Sequence, residues 1–316
     1  MLKAKFKLSF RVEAGFDLDK EARFDLSDDA SIIMHPTKAM KLGTILYDID
    51  EPNITKGRTE GKRRVEQFFT SLLYTNDFLD GLASVAFPED PQLTNPEDFE
   101  ETKTRSSEIM ADDFIVAGLN QIEVAGTVKL LRDIDRLDPD KRGIVDRSMR
   151  WFRRASETCG EDRFVCRWIS YEALLGLPEL MGLQGRKRSG TQKLSNTFIN
   201  DFLETNTVRA ILEKHSGTIL ALADAGLEGY SGETFSADLK SVLKGSHKKA
   251  ILQRVLLCVY EVRNSLFHKG QALGLIDNSS LLLRDLVRGC LRDYLAKLVR
   301  QVSQAFPVSK RPLWAV

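Results

Sequence analysis

Apolar and polar residues alternate along the first fifty positions of the chain. One face of the segment 5–12 is formed by Phe6, Leu8, Phe10 and Val12. This period of two predicts a strand buried on one side. Similar patterns predict strands at 22–26, 31–34 and 44–47. Polar residues at Asp28-Asp29 and Glu51-Pro52-Asn53 mark the turns between elements.

A helical period replaces this alternation further along the chain. It begins near Gly61 and continues to Leu82, with apolar residues three and four positions apart. The segment 87–107 contains three prolines and many acidic residues, and it predicts a loop. One more strand is predicted at 121–125. We therefore expect residues 1–135 to form a mixed α/β module.

Beyond Asp138-Pro139-Asp140, every segment has the helical period. Asp138 or Asp140 is the predicted N-cap of the first helix. Further helices are predicted at 163–175, 191–214, 217–227, 248–269 and 279–306. The fold class is therefore α+β, with the N-terminal mixed α/β module followed by an all-α C-terminal domain over 136–316.

Composition and charge narrow the classes of function. The chain has 316 residues, of which 42% are hydrophobic, and this is enough for two domains with their own cores. Its net charge of +1 gives no overall attraction to nucleic acid. Cys159 and Cys166 lack the spacing of metal ligands, and Cys258 and Cys290 lie in apolar helical patterns, so no zinc site is expected. Without a signal peptide or an apolar run of membrane-spanning length, we expect a cytoplasmic protein that does not enter a membrane.

The helix over 248–269 ends in residues that are unusual on an apolar helix. Arg263, Asn264 and His268 occupy its last two turns. At about 100° per residue, Arg263 falls near the middle of an apolar stripe, while Asn264 and His268 lie one turn apart on its flank. The other members of the stripe are Leu256, Val259, Leu266 and Phe267. A guanidinium keeps its charge in such surroundings and needs an anion or a partly wet interface, and its planar fork suits a phosphate.

These three residues resemble the RxxxxH motif of the HEPN superfamily, in its RNxxxH form. The earlier segment 151–175, with Trp168 and Glu172, resembles a helix of the Apea-like HEPN branch. The similarity covers roughly residues 140–305 and does not extend to the first 130. It implies that the C-terminal domain is a HEPN helical bundle.

The resemblance implies an endoribonuclease that requires no metal and no cofactor. In RNA, the 2′-hydroxyl would attack the adjacent phosphate. His268 would act as base or acid, Arg263 would hold the phosphate, and Asn264 would orient His268 or a phosphate oxygen. Glu172 would hold Arg263 before RNA arrives. HEPN proteins usually pair two motif helices, so a homodimer through the helical domain is implied, together with a role in prokaryotic defence or as a toxin and an antitoxin or defence-system partner.

Two other interpretations remain open. A HEPN domain without catalytic activity would bind RNA or a nucleotide, or act as a sensor. Alternatively, Arg263 and Glu172 would form a structural ion pair. His268-Lys269-Gly270 is also typical of an ordinary helix end, with cations in the last turn and glycine after it.

Weaker signals lie elsewhere in the chain. The basic run Arg186-Lys187-Arg188, within the glycine-rich loop 182–190, and Lys269 are candidate contacts for RNA phosphates, although a solvated loop also explains the run. The last predicted helix carries Arg284, Arg288, Arg292, Lys297 and Arg300, with acidic residues interspersed, which predicts a solvated face. No partner is recognisable in the sequence for His35, His215 and His247.

Overall fold

The computed structural model describes residues 4–12, 22–35, 41–50, 52–75, 85–94, 113–116, 120–177, 190–225, 239–240, 245, 247–269 and 274–305. Only the backbone is described for 22, 41, 113–116, 120–125, 268–269, 299 and 301–305. The chain divides into two compact units, Met1–Arg136 and Leu137–Val316. The first contains an antiparallel sheet, and the described elements of the second are helices. The predicted α+β class is thus confirmed.

The four N-terminal strands are all present. They are β1 (Ala4–Val12), β2 (Ala22–Ser27), β3 (Ala30–His35) and β4 (Lys41–Ile49). They pair antiparallel in the order β2-β3-β4-β1. Two short strands within or next to the predicted loop, β5 (Val85–Ala86) and β6 (Gln92–Leu93), also pair with β1. Strands β7 (Asp113–Val116) and β8 (Asn120–Glu123) form a separate hairpin, so the strand predicted at 121–125 ends two residues early.

One face of the sheet is covered by the long helix α1 (Ile54–Thr75). The inward residues of β1 are at most 1% exposed, as their alternation predicts. Phe10 contacts Phe69 at 5.8 Å between ring centroids, and Phe24 contacts Phe68 at 5.0 Å. A second helix, α2 (Val124–Asp135), packs against α1. Removal of these aromatic rings from water stabilises the unit.

Helix α1 begins seven residues before the predicted start near Gly61. Asn53 accepts a hydrogen bond from the backbone N–H of Lys56 at 3.0 Å, in the manner of an N-cap. Gly57 and Gly61 face the sheet, where a Cβ would lie 2.9 Å from the ring of Phe6 and 2.7 Å from the hydroxyl of Tyr47, respectively. The first two turns place glycine where the period requires large apolar residues, so the apolar pattern alone does not reveal them.

The second unit contains seven helices among its described elements. They are α3 (Pro139–Ser156), α4 (Gly160–Leu174), α5 (Thr191–Asp201), α6 (Thr205–Lys214), α7 (Ser216–Asp224), α8 (Lys249–Lys269) and α9 (Ile276–Ala305). Of the two candidate caps, Asp138 is the N-cap of α3 and accepts from the N–H of Lys141 at 3.0 Å. Helix α4 packs against α3 and α9, whereas α8 packs against α5, α6 and α7. Cys258 and Cys290 are core residues, as predicted.

The single helix predicted at 191–214 is in fact two helices. Phe202 and Leu203, between α5 and α6, are 8% and 2% exposed. The backbone N–H of Glu204 donates to Asp293 on α9 at 2.9 Å. Because two adjacent side chains are buried and the next N–H has an acceptor on another helix, the chain turns at this point. This acceptor is distant in sequence, so the helical period does not show the break.

Candidate functional site

Helix α8 carries the RNxxxH residues, and most of its length is core. Its buried face includes Leu252, Val255, Val259 and Val262, each 0% exposed. The predicted stripe follows this face only in part. Leu256 and Val259 are buried, Leu266 is half-buried, and the side chain of Phe267 is 51% exposed. The last turns of α8 therefore reach the surface, and Arg263 lies half-buried at the transition instead of in the middle of a buried stripe.

Arg263 is positioned by its own helix. Its Nη1 donates to Oδ1 of Asn264 at 3.2 Å, and its Cζ lies 4.6 Å from the ring centroid of Phe267. Its Nε is enclosed and has no hydrogen-bond acceptor within the described structure. No acidic side chain in the described part of the chain forms an ion pair with this guanidinium. Since a guanidinium has five N–H donors, most of them stay available for an anion.

In this structure Glu172 does not hold Arg263, although the resemblance predicted that it would. It is half-buried on α4, and no ion pair joins it to Arg263. The same helix does meet α8 through a different residue, because the rings of Trp168 and Tyr260 lie 5.8 Å apart at 49°. The segment that resembles the Apea-like helix therefore contacts the motif helix through aromatic packing, one turn before Arg263.

The other predicted site residues lie at the end of α8 or outside the described residues. His268 and Lys269 belong to the last turn of α8, where only their backbone is described. The helical spacing places His268 one turn beyond Asn264. Arg186, Lys187 and Arg188 lie outside the described residues.

A cavity of about 360 Å³ opens between α4, α5 and α8. Trp168 and Tyr171 border it from α4, while Gln253 and Tyr260 border it from α8. The phenol of Tyr171 is hydrogen-bonded to the hydroxyl of Ser195 at 2.5 Å. Burial raises the pKa of Tyr171 well above its ordinary value, which keeps the phenol neutral. Neither the cavity nor its lining follows from the helical pattern, because three helices contribute to it.

A buried polar cluster on α9 was also missed. Arg284 and Arg288 are 8% and 7% exposed, so the predicted solvated face is wrong for them, although Arg292 is exposed. His215, at the junction of α6 and α7, lies 2.9 Å from Asp285 through its Nε2. Burial alone would raise the pKa of Asp285, but hydrogen bonds from His215 and Lys214 and the charge of Arg284 hold that pKa well below its usual range. The cluster joins α9 to the α6–α7 corner.

The cluster was invisible in the sequence because His215 and Asp285 are seventy residues apart. The sequence does show Arg284, Asp285 and Arg288 close together along one helix, but the same spacing of charges occurs on solvated helix faces. The interpretation of His215 as a residue without a partner is likewise wrong.

Neither metal ligands nor a membrane span stands out in the described part of the chain. No group of three or more His, Cys, Asp or Glu side chains there could hold a metal ion. Among the described helices, none combines the length and the apolarity that a membrane crossing requires. The chain matches no protein-family model, no curated protein and no solved structure. Function is therefore inferred from α8 and the side chains around it.

Proposed function

We propose that the second unit is a HEPN-type helical bundle of the Apea-like branch and that it cleaves RNA at the end of α8 without a metal ion. The observation that carries the proposal is the state of Arg263. Its guanidinium is half-buried, is oriented by Asn264 and Phe267, and has no carboxylate partner among the described residues. A cation held in this way binds a phosphate without first breaking an ion pair.

The chemistry needs a proton acceptor, a proton donor and a cation. The 2′-hydroxyl of a ribose loses its proton to a base, and its oxygen attacks the neighbouring phosphorus. The bond from phosphorus to the 5′-oxygen breaks, and an acid protonates that oxygen. The products are a 2′,3′-cyclic phosphate and a free 5′-hydroxyl. His268 suits either proton transfer, because the ordinary pKa of histidine is near 6.5. Arg263 stabilises the charge that grows on the phosphate.

One chain provides only one such histidine, so we propose a homodimer in which two α8 ends face each other. Leu266 is half-buried and Phe267 is 51% exposed, so apolar surface lies directly beside Arg263. A second copy of the chain would cover this surface and bring the second Arg263/His268 pair into the same cleft. One histidine would then act as the base and the other as the acid.

The biological role that fits this activity is cytoplasmic RNA cleavage in prokaryotic defence or toxin-mediated growth arrest. Uncontrolled cleavage of cellular RNA is harmful to the cell that makes the enzyme, so the activity needs restraint by an antitoxin or defence-system partner. The first unit is the candidate for sensing a trigger or for binding that partner.

The test is cleavage of end-labelled RNA by the full-length chain in the presence of a metal chelator. We expect wild-type protein to release products that end in a 2′,3′-cyclic phosphate. His268→Ala should slow cleavage by about 100-fold or more, which is the usual contribution of a general acid or base. Arg263→Ala should also slow cleavage, because it removes the cation that stabilises the charge on the phosphate. Arg209→Ala is its matched control and should leave cleavage unchanged, because Arg209 is an exposed arginine on α6 that pairs with Glu213.

Two results would contradict the proposal. One is cleavage that proceeds equally well in wild type and in His268→Ala. The other is a wild-type chain that binds RNA tightly but never cleaves it, which would favour the non-catalytic binding domain.

A further inference from the structure

The cavity between α4, α5 and α8 has the size and walls of a site for a small planar molecule. Its volume of about 360 Å³ lies at the lower end of the range for small-molecule pockets. The rings of Trp168 and Tyr260 and the side chains of Leu256 and Leu257 form apolar walls. Aromatic and aliphatic walls of this kind favour a flat heterocycle, which buries both of its faces.

Several polar groups around the cavity have unused hydrogen-bonding capacity. Trp168 is 3% exposed, and its Nε1–H has no acceptor among the described residues. The side-chain amide of Asn196 and the hydroxyl of Tyr260 make no hydrogen bond within the described structure. The Nε2 of Gln253 donates to the backbone carbonyl of Asn196 and to Oδ1 of Asn200, while its Oε1 accepts no hydrogen bond among the described residues. Unsatisfied buried donors are rare and point to a missing partner.

The first turn of α5 adds further donors. Gly190 is the N-cap of this helix and has no side-chain acceptor, while its carbonyl accepts from the N–H groups of Lys193 and Leu194. The N–H groups of Thr191 and Gln192 are the ones without an acceptor among the described residues. Gly190, Thr191 and Gln192 all border the cavity. A carbonyl oxygen of a bound heterocycle would be a suitable acceptor for these N–H groups.

Charge restricts the occupant further. The described residues that line the cavity carry no charged side chain. A phosphate or a charged metabolite would therefore gain no opposite charge inside it. A neutral ring with both donors and acceptors at its edge, such as a nucleobase, matches the amides, the hydroxyl and the indole N–H.

The cavity lies next to the candidate phosphate site. Tyr260 borders the cavity, and Arg263 and Asn264 follow it by three and four residues, so their side chains are neighbours on the surface of α8. A neutral aromatic pocket one helical turn from a guanidinium with no carboxylate partner among the described residues has the arrangement of a nucleotide, in which one ribose separates the base from the phosphate.

We propose that this cavity binds a nucleobase of the RNA strand and thereby selects where the strand is cut; the proposal rests on RNA being the ligand of α8. Tyr260 supplies a stacking surface, and Asn196 reads the edge of the base. The subsite belongs to the specificity of the reaction and takes no part in the proton transfers.

The experiment measures binding by the full-length chain to homopolymeric 2′-O-methyl RNA of adenine, cytosine or uracil at one salt concentration. These probes have no free 2′-hydroxyl and stay intact. We expect wild type to distinguish the three probes. Tyr260→Leu should lower the affinity for the preferred probe by about 5- to 100-fold, the range expected for one lost stacking contact. Asn196→Ala should reduce the differences in affinity among the three probes. Asn206→Ala, at an exposed position on α6, should leave these differences unchanged.

Arg263→Ala should lower the affinity for all three probes by a similar factor, because contacts to phosphate do not distinguish one base from another. Retention of the wild-type preferences in both Tyr260→Leu and Asn196→Ala would overturn the proposal. If Tyr260→Leu lowers the melting temperature, the proposal is judged by the probe preferences of Asn196→Ala alone. Nucleoside 5′-monophosphates as competitors identify the source of the base: weak competition assigns it to an RNA strand, and competition as strong as that of the oligonucleotide assigns it to a free nucleotide.

Parallel cleavage of ordinary RNA separates this proposal from the ribonuclease proposal. A chain that distinguishes the probes through Tyr260 but never cleaves RNA would refute the ribonuclease and keep the subsite. A chain that cleaves RNA at the same positions in wild type and in Tyr260→Leu would refute the subsite alone.

Discussion

At the residue scale, Arg263 differs from an arginine that holds helices together. Structural arginines in helical cores are usually tied to a carboxylate, as the α9 cluster illustrates with Arg284 and Asp285 at 3.1 Å. Among the described residues, Arg263 instead hydrogen-bonds Asn264 and lies over the ring of Phe267, both on its own helix. We therefore expect its charge to be available to a ligand and the stability of the unit to depend little on it.

This difference predicts a small stability effect for Arg263→Ala. The variant loses one hydrogen bond, one cation–π contact and some packing of the aliphatic stem, which together amount to about 1 kcal/mol. Thermal unfolding of wild type and variant measures the change. A loss of about 3 kcal/mol or more, as when a buried ion pair is broken, would identify Arg263 as a structural residue. Asp285→Ala, which leaves His215 and Arg284 without their carboxylate, is the positive control for such a loss.

At the element scale, the start of α1 and the last turns of α8 lie in different surroundings. The start of α1 depends on close contact with the sheet, because Gly57 and Gly61 bring its backbone against Phe6 and Tyr47. Beyond Val262, the described side chains of α8 are half-buried or exposed, so the helix passes from core to surface there. This emergence from the core allows polar residues on an otherwise apolar helix.

The close approach of α1 to the sheet predicts opposite effects for two similar substitutions. Gly61→Ala puts a methyl group 2.7 Å from the hydroxyl of Tyr47 and 2.8 Å from Leu8, so we expect a loss of about 1–3 kcal/mol. Gly143→Ala, within α3, meets nothing within 4 Å and should gain about 0.5–1 kcal/mol from helix propensity. Chemical denaturation measures both. Equal gains at the two positions would show that Gly61 is not required for packing.

At the scale of the whole molecule, the proposed catalytic site requires two chains. Light scattering of active wild-type protein should give the mass of a dimer. Phe267→Ser, which removes half-exposed apolar surface beside Arg263, should shift the equilibrium towards monomer and lower cleavage in the same proportion. Ile54→Ser is the matched control, since Ile54 has the same 51% exposure on α1 of the other unit. Full activity of a strictly monomeric wild type would rule out the composite site.

The fold could be predicted from the sequence wherever a local pattern is sufficient. Alternation predicted β1, and the helical period predicted α4, α8 and α9 to within a few residues, because burial on one side imposes a period on the sequence. The break between α5 and α6 could not be predicted, since it depends on an acceptor at Asp293. The partner of His215 and the burial of Arg288 likewise depend on helices that are distant in the chain.

For the candidate site, the sequence by itself determined which residues share the end of one helix: Arg263, Asn264 and His268 are close because helical spacing makes them so. Only the tertiary structure decided what surrounds them. It left Arg263 without Glu172, brought Trp168 against Tyr260, and opened a neutral cavity between three helices. The physical reason is that spacing along a helix is a local property, whereas an ion pair or a cavity exists only when separate helices pack together.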